Sequence, residues 1–470
     1  MKGEVEPLEK SFESAWGIWV AALVMVAVGG CTSVLGVDKD YHPTGDGGGN
    51  NTATASSGTG GGGTATASSG TGMSCVPVDD GNPCTDDVCV NDVPSHTPTA
   101  IGSPCSVGGT QCDGMGTCVP FVCAGTLGFL SAPSPSVGSS PYFVTAADLN
   151  GDGKNDLAVA NLFSDTVSVL FNQGNGAFAP QVSYSVGSNP DSVAAADLNG
   201  DGKPDLAVVS YSSNTVSVLL NQGNGAFAPQ VSYSVGSNPH SVTTKDLNAD
   251  GKPDLAVANQ GSGTVSVLLN LGNGSFAAQV TYPVGSNPGS VTAADLNGDN
   301  KSDLAVTSAD NPTVSVLLNL GNGSFAPQVP YAVGSISFSV AAMDLNGDDK
   351  LDLAVANYGI GTVSVLLNLG NGTFALQVTY PVGSKPVSIA ATDLSGDGKP
   401  DLAVANSFSN TVSVLLNLGA GSFAPQVTYP VGSSPQSVAA ADLNGDGKPD
   451  LAVANKDSNN VSVLLNTCLP

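Results

Sequence analysis

Residues 148–156 read D-L-N-G-D-G-K-N-D, so every second residue offers an oxygen or a main-chain carbonyl. Asp148, Asn150, Asp152 and Asp156 take positions 1, 3, 5 and 9, with Lys154 at position 7. In a tight loop such alternate groups converge on one point, and calcium takes six to eight oxygens. Position 7 is expected to give its backbone carbonyl and to leave the Lys side chain in solvent. Three carboxylates packed this closely repel one another unless a cation lies between them.

The loop recurs six more times at intervals of 49 residues. The second has Asp197, Asn199, Asp201, Lys203 and Asp205, and the third Asp246, Asn248, Asp250, Lys252 and Asp254. The fourth has Asp295, Asn297, Asp299, Lys301 and Asp303, and the fifth Asp344, Asn346, Asp348, Lys350 and Asp352. The sixth has Asp393, Ser395, Asp397, Lys399 and Asp401, and the seventh Asp442, Asn444, Asp446, Lys448 and Asp450. Up to seven Ca²⁺ are expected. The sixth site should be weakest, because Ser395 is a poorer ligand than Asn. Asn300 and Asp349 stand where the other loops have Gly. Both residue types tolerate the left-handed backbone that Gly takes most easily. An EF-hand also begins this way but needs a bidentate Glu at position 12. Here position 12 is Val159, and no Glu follows Glu13.

A unit repeated this regularly implies a repeat architecture. Each unit reads as four short strands. In the second these are 192–197, 205–210, 215–221 and 226–235, with Asn224-Gly225 as a hairpin signal. The last unit stops short of its fourth strand, and the missing segment precedes the first unit: Phe129 aligns with Phe178, and 137–141 with 186–190. The repeat is circularly permuted and closes on itself, which removes the open sheet edge at the join. The expectation is an all-β, seven-bladed β-propeller of four-stranded blades over 124–470, preceded by a small disulfide-rich module over 75–123. Recurrent Phe178, Phe227, Phe276, Phe325, Phe374 and Phe423, and Tyr184, Tyr233, Tyr282, Tyr331, Tyr380 and Tyr429, are expected to pack between blades.

The nine-residue loop between two strands resembles the FG-GAP, or VCBS-type, repeats of integrin-α-like propellers. That resemblance implies a calcium-stabilised, seven-bladed propeller used in adhesion or ligand binding.

The N-terminal part reads as processing and tether. The apolar run 18–28 is short for a membrane span and suits a signal-peptide core. It leads into Val28-Gly29-Gly30-Cys31, which resembles a bacterial lipobox with Cys31 as the lipidated first residue of the mature chain. By the same resemblance Thr32 favours sorting to an outer membrane. The boundaries are then 1–31 for the signal, 32–74 for a Gly/Ser/Thr-rich tether, and 75–123 for the cysteine-rich module. The tether cannot bury enough apolar surface to fold. Its root-mean-square span is roughly 30 Å. Cys75, Cys84, Cys89, Cys105, Cys112 and Cys118 are expected to form disulfides of undetermined connectivity, and a zinc site is the rival reading. Cys123 and Cys468 flank the strands that close the ring, so a Cys123–Cys468 disulfide is expected to lock it, contributing about 2–4 kcal/mol.

The net charge is −26, and the chain has no Arg. That excludes a nucleic-acid-binding surface built on basic patches. Catalysis has little to stand on: 128–470 holds one His, His240, and neither Glu nor Trp, and no nucleophile elbow or phosphate loop appears.

The repeats differ mainly in two sets of positions, one after the second strand and one just before the first. Four-stranded blade geometry puts both sets on one face and the Asp loops on the other. Variable loops on a rigid scaffold are where recognition is usually placed. Tyr142, Phe163, Tyr211, His240, Phe338, Tyr358 and Phe408 are the expected ligand contacts. The function expected is a cell-surface adhesion or ligand-binding module for an extracellular protein, monomeric and held to the membrane by its lipid alone. The alternatives are a glycan-binding lectin and a non-binding surface spacer.

Overall fold

The structure is a computed structural model, and it describes residues 127–467 together with four short strands nearer the N-terminus. Those strands form two antiparallel ribbons, Thr85–Val90 with Val93–Pro98 and Thr110–Cys112 with Cys118–Pro120. The expected lipidation at Cys31, the tether, and the Cys123–Cys468 disulfide lie outside the described residues.

Residues 127–467 form seven four-stranded antiparallel sheets. Blade one consists of Pro141–Ala147, Asp156–Asn161, Thr166–Leu170 and Val182–Ser185. The next five blades repeat that order along the chain. Blade seven takes its first three strands from Pro435–Ala441, Asp450–Asn455 and Asn460–Asn466. Its outermost strand is Phe129–Ser131, with Leu464 opposite Ser131 and Asn466 opposite Phe129. The first strand of the 127–467 region therefore closes the last blade, as the permuted repeat requires.

The second strand of each blade, D-L-A-V-A-N in most copies, is buried along its whole length. Both of its faces meet neighbouring blades, so it reads as a continuous apolar run rather than an alternating one. The core is accordingly seven layers, each shared by two blades. In one of them Val167 and Val169 of blade one pack with Val193, Leu206, Val208 and Phe227 of blade two. At the closing joint Val144, Leu157 and Val159 pack with Ala452, Val461 and Val463.

The aromatic residues pack between blades. Tyr184 meets Phe227 edge-on at 5.2 Å, and the same pair recurs at Tyr233–Phe276, Tyr282–Phe325, Tyr331–Phe374 and Tyr380–Phe423. Phe129 fills the corresponding place beside Tyr429 at 5.1 Å. The Tyr184 hydroxyl also donates to the Gly225 carbonyl at 2.9 Å.

One strand differs from the expectation. The segment 226–235 is not a single strand: Ala226–Phe227 pairs with Asn221–Gly223 in a small ribbon, and Val231–Ser234 alone joins the blade. Asn221 is the cause. Its buried side chain turns inward and its backbone N–H donates to Asp205 Oδ1 at 2.6 Å, which ends the ladder with Leu219.

Candidate binding face and Asp loops

The chain leaves each blade on two faces. On one, the loop after the second strand meets the loop before the first strand of the same blade. Leu162 N–H donates to the Ser140 carbonyl at 2.9 Å, and Tyr211 N–H to the Asn189 carbonyl at 2.8 Å. On the other, the Asp loops meet the hairpins: Asn221 Nδ2 donates to the Pro204 carbonyl at 2.9 Å. The two variable sets do share one face, and the Asp loops occupy the opposite one.

All seven Asp loops have one geometry. The Asp148 carboxylate accepts from the N–H groups of Gly151, Asp152 and Gly153. Asp156 is fully buried and accepts from Leu149 and Asn172 N–H. Positions 4 and 6 take positive φ throughout, which Gly meets easily. Asn300 and Asp349 adopt it at φ 62° and 64°, as expected of their side chains, and Ala249 does so at 64° against its preference. The Lys side chains lie in solvent, as expected, and also make an ion pair there. Lys154, Lys203, Lys252, Lys301 and Lys350 each pair with the position-5 Asp of their own loop at 2.7–2.9 Å. That pairing engages Asp152 Oδ2, while Oδ1 accepts from the Lys154 N–H at 3.0 Å. Among the described residues no three His, Cys, Asp or Glu side chains converge as a metal-binding group.

Two features fit calcium all the same. The donor set is the oxygen-only set a hard cation takes. The position-9 carboxylates are also buried, and the loop Lys pairs with the position-5 Asp rather than with them. Burial, and then the neighbouring loop carboxylates, push Asp156, Asp205, Asp303, Asp352 and Asp401 up to about 6 and Asp450 to about 7. A cation among the loop carboxylates would relieve that cost.

Asn172, Asn221, Asn270, Asn319, Asn368, Asn417 and Asn466 were not singled out from the sequence. Each lies 16 residues after the position-9 Asp, and its side chain reaches the Asp loop of the preceding blade. Their one signal was recurrence at a strand end, where Asn ordinarily marks a turn.

On the variable face, six of the seven expected contact residues form one continuous line. Lys456 Nζ lies 5.9 Å from the ring centres of both Phe163 and Tyr142. Tyr142 meets His240 at 6.0 Å, His240 meets Phe338 at 6.2 Å, and Phe338 meets Tyr358 at 5.2 Å. Lys385 Nζ then bridges Tyr358 and Phe408, 5.2 Å from each ring. Tyr211, the seventh, is half-buried on blade two, where its carbonyl accepts from Asn238 Nδ2 at 3.4 Å. His240 lies in the first strand of blade three, Pro239–Lys245, and is half-buried. Its side chain is 15% exposed, and Nε2 lies 3.7 Å from Asp191 Oδ2. Asp191 is buried, and its Oδ1 has no hydrogen-bond partner. Burial pushes its carboxyl up to about 6, against the pull of His240 and Lys456.

The FG-GAP-like repeat profile matches in six overlapping stretches from 148–208 to 393–453. The chain belongs to the FG-GAP-like repeat family. No curated protein matches this FG-GAP repeat chain in sequence. Among solved structures it is similar to virginiamycin B lyase from Staphylococcus aureus, at 12% identity and a TM-score of 0.52, covering 72% of this chain and 99% of that one. It is similar to a streptogramin B lyase at 15% identity and a TM-score of 0.51, covering 73% and 98%. It is also similar to Kuenenia stuttgartiensis hydrazine synthase at 18% identity and a TM-score of 0.52, covering 73% and 98%. At these identities the likeness is one of fold, and a fold does not by itself carry an activity.

Proposed function

We propose that this FG-GAP repeat propeller is a cell-surface adhesion or ligand-binding module. Its variable face recognises an extracellular protein, and its Asp loops hold calcium that stiffens the opposite face. The observation that carries the reading is the line from Phe163 to Phe408. Near-identical repeats diverge at these loops, and the divergent residues meet as aromatic rings and cations on one face. Aromatic residues are enriched at protein interfaces. Calcium would be held by the carboxylates at positions 1, 5 and 9, the position-3 side chain and the position-7 carbonyl. The anchor at Cys31, the disulfides and a surface location belong to the same proposal, as does a non-catalytic role.

A second, enzymatic reading has one specific observation behind it, the Asp191–His240 pair beside aromatic rings. A buried carboxylate can orient an imidazole for proton transfer. A glycan-binding role rests on the same rings.

The test is to present the full chain to arrays of extracellular proteins and of glycans, with calcium and with chelator. Protein hits lost on changing Tyr358 or Phe408 support the adhesion reading. Glycan hits lost by the same changes move the face to carbohydrate. Hits that ignore both changes contradict the assignment of the face.

A further inference from the structure

The variable face is not uniform around the ring. Blades five and six gather Ile336, Phe338, Tyr358, Ile360, Lys385 and Phe408. Phe408 is 70% exposed, Ile360 54% and Ile336 37%. They form one patch. Tyr358 N–H donates to the Ile336 carbonyl at 2.8 Å, and Phe408 N–H to the Ser384 carbonyl at 3.3 Å. Phe338 lies on Tyr358, and Lys385 sits between Tyr358 and Phe408. The same loops in blades two and three carry Tyr211-Ser212-Ser213 and Gln260-Gly261-Ser262 instead.

Backbone conformation adds a second observation. The residue before the first strand takes positive φ in every blade: Ser140, Asn189, Asn238, Asn287, Ile336, Lys385 and Ser434, all between 51° and 58°. Asn suits this conformation, and a β-branched residue suits it least. Ile336 is thus an exposed apolar side chain at a position that disfavours it. Such strain collects where the surroundings or the function maintain it.

Charge gives the third. The loop segments 335–338, 358–361, 384–387 and 407–410 contain no acidic residue, and Lys385 is their one cation. Among the described residues the Lys–carboxylate pairs are those of the Asp loops, and the Lys385 ammonium rests on rings alone. The bulk of the negative charge is carried by the Asp loops on the other face, so a carboxylate approaching this sector meets a local cation.

We infer that the blade five–six sector is the docking surface for an apolar peptide segment of a partner protein that carries a carboxylate. The apolar side chains seat on Ile336, Ile360 and Phe408, and the carboxylate pairs with Lys385. A bond between Lys385 and a carboxylate would be charge-assisted, partly desolvated by the two rings, and hence stronger than a surface ion pair. The inference rests on the proposed role of the variable face and narrows it to one sector and one partner chemistry.

The test is calorimetric titration of the full chain with three capped peptides that alternate Leu and Phe with Glu, with Gln or with Lys. The Glu peptide should bind at least tenfold more tightly than the other two. Lys385→Glu should reverse that order, so that the Lys peptide binds best. Phe408→Ala should weaken binding at least tenfold without lowering the Tm. Ile336→Asn should raise the Tm while weakening binding, which a purely structural role for Ile336 would not produce. Binding unchanged in Lys385→Glu overturns the inference, as does an absence of binding by the Glu peptide. So does a concentration-dependent dimer, seen by sedimentation, that Phe408→Ala abolishes, since the patch would then serve a second copy. Tyr211→Ala separates the two levels. Peptide binding lost there and kept in Lys385→Glu leaves the variable face as the binding face and moves the sector. Binding lost only on changing the hairpin residues Leu320 and Leu369 of the opposite face removes both.

Discussion

The side-chain amide of Asn221 donates to the main-chain carbonyl of Leu149, 72 residues earlier and one blade back, at 2.9 Å. The same Nδ2 donates to the Pro204 carbonyl, the Asn221 N–H donates to Asp205 Oδ1, and Gly223 N–H donates to Asn221 Oδ1. One buried side chain ties its own Asp loop, its own hairpin and the previous blade's Asp loop together. Seven such ties encircle the ring.

Asn221→Ala strands the buried Leu149 carbonyl and the half-buried Pro204 carbonyl. The expected loss is about 2–4 kcal/mol, since each unsatisfied buried acceptor costs its desolvation. Gln222→Ala, the exposed neighbour, should change stability little. Guanidinium unfolding of the two variants checks this, and equal midpoints would contradict the role given to Asn221.

Tyr282 separates two contributions at a blade joint. Tyr282→Phe keeps the edge-on contact with Phe325 and removes the hydroxyl bond to the Gly323 carbonyl. It should cost about 0.5–1.5 kcal/mol. Tyr282→Ala removes both and should cost about 3 kcal/mol. Similar losses in the two variants would show that the ring contact contributes little.

Much of this was legible in the sequence, because repetition averages out local ambiguity. The closing strand at Phe129–Ser131 follows from where the seventh unit breaks off, and the Tyr–Phe joints follow from their recurrence in register. What was not legible depended on separations or conformations a linear reading does not hold. Asn221 looks like a turn residue until the neighbouring blade is in place. Asp191 and His240 meet only because blades two and three are adjacent. Ile336 and Lys385 are unremarkable residue types, and their meaning comes from a positive φ that sequence does not display.

Asp191 gives a pH dependence. Its folded pKa of about 6 lies above the ordinary 3.8, so folding favours the protonated form. Its stabilising contribution is complete below about pH 4 and is lost as the pH rises through about 6. Asp191→Asn should therefore be more stable than the wild type at pH 8, by up to about 3 kcal/mol, and the gap should close toward pH 4. Thermal unfolding of both proteins across that range reads it out. A gap independent of pH would contradict the burial of an unsatisfied carboxylate there.

Calcium should bind seven to one and raise the Tm. A site held at a hundredfold excess over its Kd adds about 2.7 kcal/mol. Asp299→Asn should reduce the stoichiometry by one. The sixth loop should fill last, because Ser395 offers a short hydroxyl where the other loops offer an Asn side-chain carbonyl, and Ser395→Asn should tighten it. Calorimetry showing neither heat nor a Tm shift would mean that the Lys–Asp pairs themselves complete the loops.

The most direct test of the divided faces compares two double variants on the extracellular protein array in calcium. Tyr358→Ser with Phe408→Ser alters the variable face, and Leu320→Ser with Leu369→Ser alters the exposed hairpins of the Asp-loop face. The first should lose the wild-type hits by at least tenfold and the second should keep them. Retention by the first and loss by the second would place recognition on the Asp-loop face and contradict the account.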